Sequence, residues 1–406
     1  MVPAGKWLTG AIHLKSNINL EVADGAELMF SSNRENYLPQ VISRFQGMEY
    51  YNFSPLIYAR DCQNIAISGK GRLIGNGQPW RDWSEIRSTI ARIKLLEMVN
   101  NNIDSSERVF GEEDGLRPSF VQFVNCKNIL VKDIHLEDGP MWTIHMIYSK
   151  NITINGVNVK TTGINGDGVV IDSSRNVLVE NCFLHTSDDS ISIKSGLEKD
   201  GWRVGKSAER IIIKNCKITE GHSGVAIGSE MSGGVSDVFI RNNRFVSVNE
   251  GIQIKSMIGR GGVVENIWAK SNDIEKAKRS VLITMDYDSR ISSNSERLPV
   301  FRNIYIYDVY LKRSSNALVI EGMPDKDLIH DVYIKNVNGS SIRAAVKVKH
   351  ARNIFLRNVN VSVKKLPVVD FLNSQNIDLR NFSCKKNINE CVKINGDHPE
   401  EIFFRK

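Results

Sequence analysis

One short phrase recurs along the second two-thirds of the chain: Asn or Asp, an apolar residue, any residue, an apolar residue, a polar or charged residue, and Asn or Asp again. With occasional substitutions it reads NILVKD from 128, NITING from 151, NVLVEN from 176, RIIIKN from 210 and DVFIRN from 237. It continues as NIWAKS from 266, NIYIYD from 303, DVYIKN from 331, NIFLRN from 353 and NIDLRN from 376. The spacing keeps returning to 22–29 residues, with a few longer intervals. Alternation with a period of two marks each copy as a strand, and a fixed repeat of this length marks stacked coils of a solenoid. A second phrase precedes most copies: GVVIDS from 168, SISIKS from 190, GVAIGS from 224, GIQIKS from 251, SVLITM from 280 and ALVIEG from 317. Two or three short strands per coil and few helical stretches predict an all-β chain, a single parallel β-helix over residues 1–406. Its apolar positions face the lumen and stack at the parallel strand spacing of about 4.8 Å. Asn181 with Asn215, and Cys182 with Cys216, then form short internal ladders.

Two segments break the rhythm. Residues 76–120 hold IRSTIARIKLLEMV, whose apolar spacing is helical, close to Trp80 and Trp83, and 285–299 is polar and irregular. Loops of this size on a solenoid wall one face, so the insertion at about 76–120 is expected to close one end of any groove.

Composition narrows the function less. A formal charge of +7 fits a polyanionic partner such as an acidic polysaccharide, and no Lys/Arg run concentrates it as a nucleic-acid-binding segment would. The six cysteines form no CxxC, which argues against zinc, and buried free thiols are expected. No apolar run approaches the roughly 20 residues of a membrane span, and MVPAGKWLTG has neither the charged nor the apolar region of a signal peptide.

The stretch TSDDSISIKSG, Thr186 to Gly196, sets two aspartates side by side before a strand. Aligning coils by the second phrase puts Asp189 on Asp167 one coil earlier, with Ser223 and Glu250 following, and puts Asp188 on His222. Both Asp188 and Asp189 are expected to face outward, since the chain is still turning there. Beyond them, Asp172, Lys194, Gly228 and Lys255 align along one outward line, and Val170, Ser192, Ala226 and Gln253 along the next. The result is a groove with a carboxylate patch, a histidine and lysines. Three carboxylates together cannot all ionise cheaply, which is how a general acid comes to sit beside a general base. Glycosidic hydrolysis needs that pair.

NGDG (165–168), SDDSISIKSG (187–196), GHSGVAIGS (221–229) and GIQIKS (251–256) resemble, in order, the four signature segments of the polygalacturonase family, glycoside hydrolase family 28, of the bacterial pectin-degrading type. The resemblance runs from VPAGKWLTGAIHLKSNINL through LRPSFVQF (116–123) and GRGGVVENI (259–267) and fades toward the C-terminus. It implies a right-handed, pectin lyase-like solenoid and a metal-independent, cofactor-free inverting hydrolase of an acidic plant polysaccharide, either an exo-acting galacturonidase or a rhamnogalacturonan-type hydrolase, acting as a monomer after secretion or export to the periplasm. Relatives of this kind have a further strand and helix before the segment like VPAGKWLTG. By motif, Asp188 is the general acid, Asp167 and Asp189 hold and deprotonate the water, His222 supports the acid, and Asn165 orients its neighbours. Gln253 and Lys255 fall where the family grips the sugar carboxylate on the leaving side, and Tyr287 in TMDYDS resembles the tyrosine shaping that subsite.

The chain departs from the family pattern at Gly166, Ser187, Ser223 and Gln253. Gln253 stands where an arginine is usual, which implies a leaving-side sugar that is neutral or substituted. Two other readings use the same solenoid. A polysaccharide lyase would need Ca²⁺ and would leave an unsaturated sugar, and a binding β-helix would hold glycan without cleaving it.

Overall fold

The computed structural model describes residues 1–83, 85–287, 295–382, 384, 387–396 and 399–405. Part of the second irregular segment, 288–294, therefore lies outside the described residues. The strands form a parallel β-helix, with 32 of them joined in one sheet that winds through successive coils and a separate antiparallel hairpin beside it. Each copy of the first phrase is a strand paired in parallel with the next copy, as in Lys127–Lys132 on Lys150–Asn155 and Arg175–Glu180 on Ala208–Lys214. The second phrase supplies another sheet face, running through Val169–Asp172, Ile191–Lys194 and the end of Lys217–Ile227. A third, shorter row includes His135–Glu137 and Phe183–His185.

The recurrent Asn or Asp has a backbone cause. The first residue of each phrase turns the corner between two strands with a positive φ, as at Asn128 (57°), Asn151 (57°), Asn176 (54°), Asp237 (56°) and Asn353 (52°). Side chains with a Cβ resist this left-handed region, and Asn and Asp tolerate it best after glycine. Their amides then bond from coil to coil. Asn64 donates to Asn17 at 2.8 Å, Asn128 to Asn64 at 2.9 Å, Asn151 to Asn128 at 3.0 Å and Asn176 to Asn151 at 3.0 Å. Between corners, Ile129, Ile152, Val177, Ile211 and Val238 stack in register and are buried, so the lumen is filled by apolar columns.

Cys62, Cys126, Cys182 and Cys216 are buried thiols, as expected, but Cys384 and Cys391 are joined in a disulfide. Spacing alone carries no sign of that pair. No helix among the described residues is long and apolar enough to cross a membrane.

Two excursions cover one face of the solenoid at its early coils. Residues 85–100 form a helix, Glu85–Asn100, whose Ala91, Leu95, Leu96 and Val99 are buried. Val41–Phe45 and Met48–Asn52 form the antiparallel hairpin, turning at Gln46 and Gly47, both with positive φ. Helix and hairpin share an apolar cluster with Trp142, Val170 and Leu197 on the solenoid. Trp80 is instead fully buried against Tyr37, Phe53 and Trp83, with the Arg34 guanidinium over both indoles. The two tryptophans therefore pin the base of the insertion, and neither is among the groups described below for the groove.

The corner argument makes a stability prediction. Asn151→Ala forces alanine into the left-handed region and removes two amide bonds, so it should cost about 1–3 kcal/mol. Asn151→Gly keeps the backbone freedom and should recover a substantial part of that loss. Urea titrations that rank Gly at or below Ala would show that backbone strain is not what selects Asn.

Candidate functional site

The registers aligned from sequence are present. Gly168 N donates to Asp189 O at 3.1 Å and Ser190 N to Ser223 O at 2.8 Å, while Ser223 pairs with Glu250, so Asp167, Asp189, Ser223 and Glu250 form one column. His222 N donates to Asp188 O at 3.0 Å, which starts a second column. Val170, Ser192, Ala226 and Gln253 are partners on successive strands.

These columns bring seven of the eight candidate residues together. Lys255 Nζ lies 2.9 Å from Asp189 Oδ2, and His222 Nδ1 lies 3.3 Å from Asp189 Oδ1. Asp188 Oδ1 accepts the Asp189 backbone N–H at 2.9 Å, and Ser192 donates to Asp167 at 3.0 Å. Gln253 is buried, and its carbonyl oxygen accepts from Ser223 Oγ at 2.7 Å. Lys255 sits 5.2 Å from the centre of the Tyr287 ring. Asn165 is the exception. Its carbonyl oxygen accepts from Arg117 at 3.0 Å, and Arg117 also donates to the carbonyls of Pro140 (3.0 Å) and Ile164 (2.8 Å). Asn165 is thus a clamped corner with φ of 57°, and among the described residues it has no hydrogen bond to the carboxylates.

Two expectations need correction. Asp188 is half-buried, but Asp189 is only 2% exposed, held down between Lys255 and His222 rather than facing out. Asp172 does not line an open groove. The hairpin's Arg44 lies 2.8 Å from it and His145 3.5 Å, and all three side chains are buried. The physical reason is the roof: a buried carboxylate needs a cation, and the hairpin delivers one.

The departures at Gly166 and Ser187 explain each other. A Cβ at Gly166 would lie 2.2 Å from Ser187 Oγ and 2.7 Å from Thr161 Oγ1. The hydroxyl of Ser187, donating to Gly163 O at 2.6 Å, fills the space a side chain at 166 would take.

Charge divides the carboxylates. Burial pushes Asp167 well above the usual carboxylate range, with the charge of Asp188 adding to it, and burial together with the charge of Asp189 raises Asp188. Asp189 goes the other way. Burial opposes its ionisation too, but Lys255 and His222 outweigh burial and hold it below the usual range. His222 is raised, chiefly by its hydrogen bond to Asp189. One carboxylate held toward its anion thus sits beside two whose protons are bound more tightly than usual. Donor atoms of Asp188, Asp189 and His222 lie within 4.8 Å of one another, a spacing a cation could use, yet the Lys255 ammonium already supplies positive charge there.

Sequence reasoning missed the groups that fix Lys194. Its ammonium lies 2.9 Å from Glu230 and 5.1 Å from the centre of the Trp142 ring, within the electrostatic reach of Asp167. It also missed the hairpin, whose signal was Gln-Gly between the alternating runs VISRF and MEYYN.

Comparison with known proteins follows the geometry. The family model described as glycosyl hydrolases family 28 matches residues 1–338. A Vitis vinifera protein named "Probable polygalacturonase" is 28% identical over 359 residues, covering 86% of this chain and 67% of the relative. An "Exo-poly-alpha-D-galacturonosidase" of Dickeya chrysanthemi is 26% identical over 367 residues, and the match spans 82% of this chain but 60% of that protein. Among solved structures, a hyperthermoactive exopolygalacturonase from Thermotoga maritima is 34% identical, with a TM-score of 0.76 and coverage of 97% of this chain and 83% of that one. A family 28 exopolygalacturonase from Yersinia enterocolitica shares the fold at 20% identity, with a TM-score of 0.74, over 93% of this chain and 71% of that one.

The division of charge is testable without substrate. In Lys255→Met, Asp189 loses the cation that most favours its anion, so its titration should move up in pH. Carbon-13 NMR of labelled aspartate carboxyls in wild type, Lys255→Met and the charge-keeping Lys255→Arg measures this. An Asp189 titration that stays in place in Lys255→Met would remove Lys255 as the cause.

Proposed function

Since the chain belongs to glycosyl hydrolase family 28, we propose that it hydrolyses the α-glycosidic bonds of a pectic galacturonan from a chain end, with inversion. The single observation that carries this reading is the split carboxylate cluster, in which Lys255 and His222 favour the Asp189 anion while burial raises Asp188 and Asp167, in a groove covered at its early coils. Asp188 is the general acid, giving its proton to the leaving glycosidic oxygen as that bond breaks. Asp189, with Asp167, orients a water molecule and takes its proton as the new bond to the anomeric carbon forms. His222, raised by its contact with Asp189, keeps positive charge near the acid. Lys255, Gln253 and Tyr287 hold the sugar on the leaving side, and Asn165, through Arg117, fixes the corner before Asp167.

The general rule for carboxylate separation pulls against inversion. Close pairs, about 5–5.5 Å apart, go with retention, and wider pairs leave room for water. Oxygen atoms of Asp188 and Asp189 lie within 4.8 Å. Inversion rests instead on the third carboxylate, Asp167, one coil away, which enlarges the site on the side where water must stand.

End-on action is read from the helix and hairpin that pack over Trp142 and Val170 at the early coils, since cover at that end of the groove favours a terminus over a chain interior. The enzyme is proposed to work as a monomer outside the cytoplasm on acidic plant polysaccharide, with neither nucleic acid nor metal as a partner. Family membership sets the lyase and binding-only readings aside.

One incubation with polygalacturonate tests the whole reading. Monosaccharide or disaccharide should dominate from the first minutes, the released anomer should be inverted by proton NMR, and a chelator should change nothing. Rapid viscosity loss would remove end-on action, and a retained anomer would remove the water-activating role of Asp167 and Asp189. Asp188→Asn should lower kcat by at least roughly 10²–10⁴-fold with little change in binding, and a variant keeping more than a tenth of wild-type turnover would place the acid elsewhere. Gln253 offers an amide where an arginine would grip a carboxylate. Gln253→Arg should therefore raise kcat/KM on polygalacturonate relative to methyl-esterified pectin, and an unchanged ranking of the two would show that the position does not select.

A further inference from the structure

The column that begins with Asp188 and His222 does not end there. Gly221 pairs with Val248 and Ser223 with Glu250, so His222 is followed by Asn249 on the next coil. Val248 pairs with Ala277 and Glu250 with Arg279, which brings Lys278 next. Ala277 pairs with Ser314 and Arg279 with Asn316, so Ser315 follows, and Arg343 N donates to Ser315 O at 2.8 Å. One position to the side, Lys276 pairs with Arg313. Lys364 and Lys365 continue the same edge, with Lys365 N donating to Ile342 O at 3.0 Å.

Six cations thus follow His222 along one edge of the solenoid. Lys276, Lys278, Arg313, Arg343, Lys364 and Lys365 are all exposed, and none of them has an ion pair among the described residues. Cations elsewhere on the same coils do find carboxylates, as Arg244 does with Glu275, Arg279 with Glu250 and Lys347 with Glu321. Like charges stacked at about 4.8 Å repel one another, and a surface that only needed solubility would intersperse signs. The stripe is also concave. A groove of about 410 Å³ is lined by His222, Asn249, Lys276, Lys278 and Arg313, with Glu220 as the one carboxylate on its wall.

We propose that this stripe is a docking track for the part of an anionic polysaccharide that lies beyond the leaving sugar, with ammonium and guanidinium groups on successive coils facing successive sugar carboxylates. The inference rests on the hydrolase reading for its starting point, because His222 fixes where the track begins. It assigns the leaving side a long-range preference for polyanion that the neutral Gln253 subsite does not supply. Exposed contacts of this kind are individually weak and screened by salt, so their effect is cumulative and depends on ionic strength.

The test uses full-length protein and the triple variant Lys276→Gln, Lys278→Gln, Arg313→Gln. These side chains are exposed and unpaired, so thermal unfolding should match wild type. In wild type, kcat/KM should rise from the galacturonate dimer to oligomers of several sugars, and the rise should shrink as salt is added. In the variant the ratio of long to short substrate should fall by about tenfold at low salt, three weak contacts being removed together. A second arm needs no catalysis: polygalacturonate affinity of the Asp188→Asn form, with and without the triple change, should fall by a similar factor. Equal affinity with equal salt dependence in that arm would overturn the track. Failure of the wild type to cleave galacturonan, with the affinity loss intact, would overturn the hydrolase reading and leave the track standing.

Discussion

Everything in this molecule depends on coils that repeat in register. Because each coil lands about one strand spacing above the last, residues distant in sequence become permanent neighbours in a column, and a column acquires a chemical character that no single residue has. The lumen columns are apolar and hold the coils together. The corner columns are amides in the left-handed backbone region, bonded to one another from Asn17 to Asn176. The columns at the start of the second sheet face carry the carboxylates, and the same geometry that stacks isoleucine on isoleucine stacks Asp189 on Asp167. That arrangement is unfavourable on its own. It is tolerated because Lys255 and His222 compensate one negative charge and the other two carboxyls are raised, so that they ionise less readily.

How much of this could be read from the chain follows from which interactions are periodic. The strand phrases, their registers and the columns of Asp167, Asp188, Asp189 and His222 were legible because alternation and repeat length encode them directly. Gln253 and Lys255 were legible for the same reason. Non-periodic contacts were not. Nothing in the spacing of Asp172 says that Arg44, 128 residues away, covers it, and nothing in NGDG says that Asn165 answers to Arg117. The burial of Asp189 was missed because it comes from Lys255 and His222 closing on the carboxylate as charged partners, and alternation says which residues align but not which side chains fold over a neighbour. The disulfide of Cys384 and Cys391 joins residues only seven apart, in a stretch where the repeat has faded.

The paired departures at Gly166 and Ser187 show what comparing motifs one position at a time leaves out. Each change alone would open a hole or force a clash, yet together they exchange which coil supplies the small side chain. The volume in front of Asp167 is kept while its owner changes.

The roof has a consequence for how the molecule is made. Coil-to-coil contacts join residues a few tens of positions apart, so the solenoid can zip progressively as each turn finds the one before it. The hairpin is different. Its Arg44 reaches Asp172, Glu49 reaches Tyr148 and bonds Asp200 through its backbone, and these partners stand 128, 99 and 151 residues further along the chain. Such contacts carry a large loop-closure cost and form late. An emerging chain therefore displays its hairpin, with nothing yet to cover, until the coil bearing Asp200 has been laid down, and Asp172 receives its buried cation only after the coils on either side of it exist.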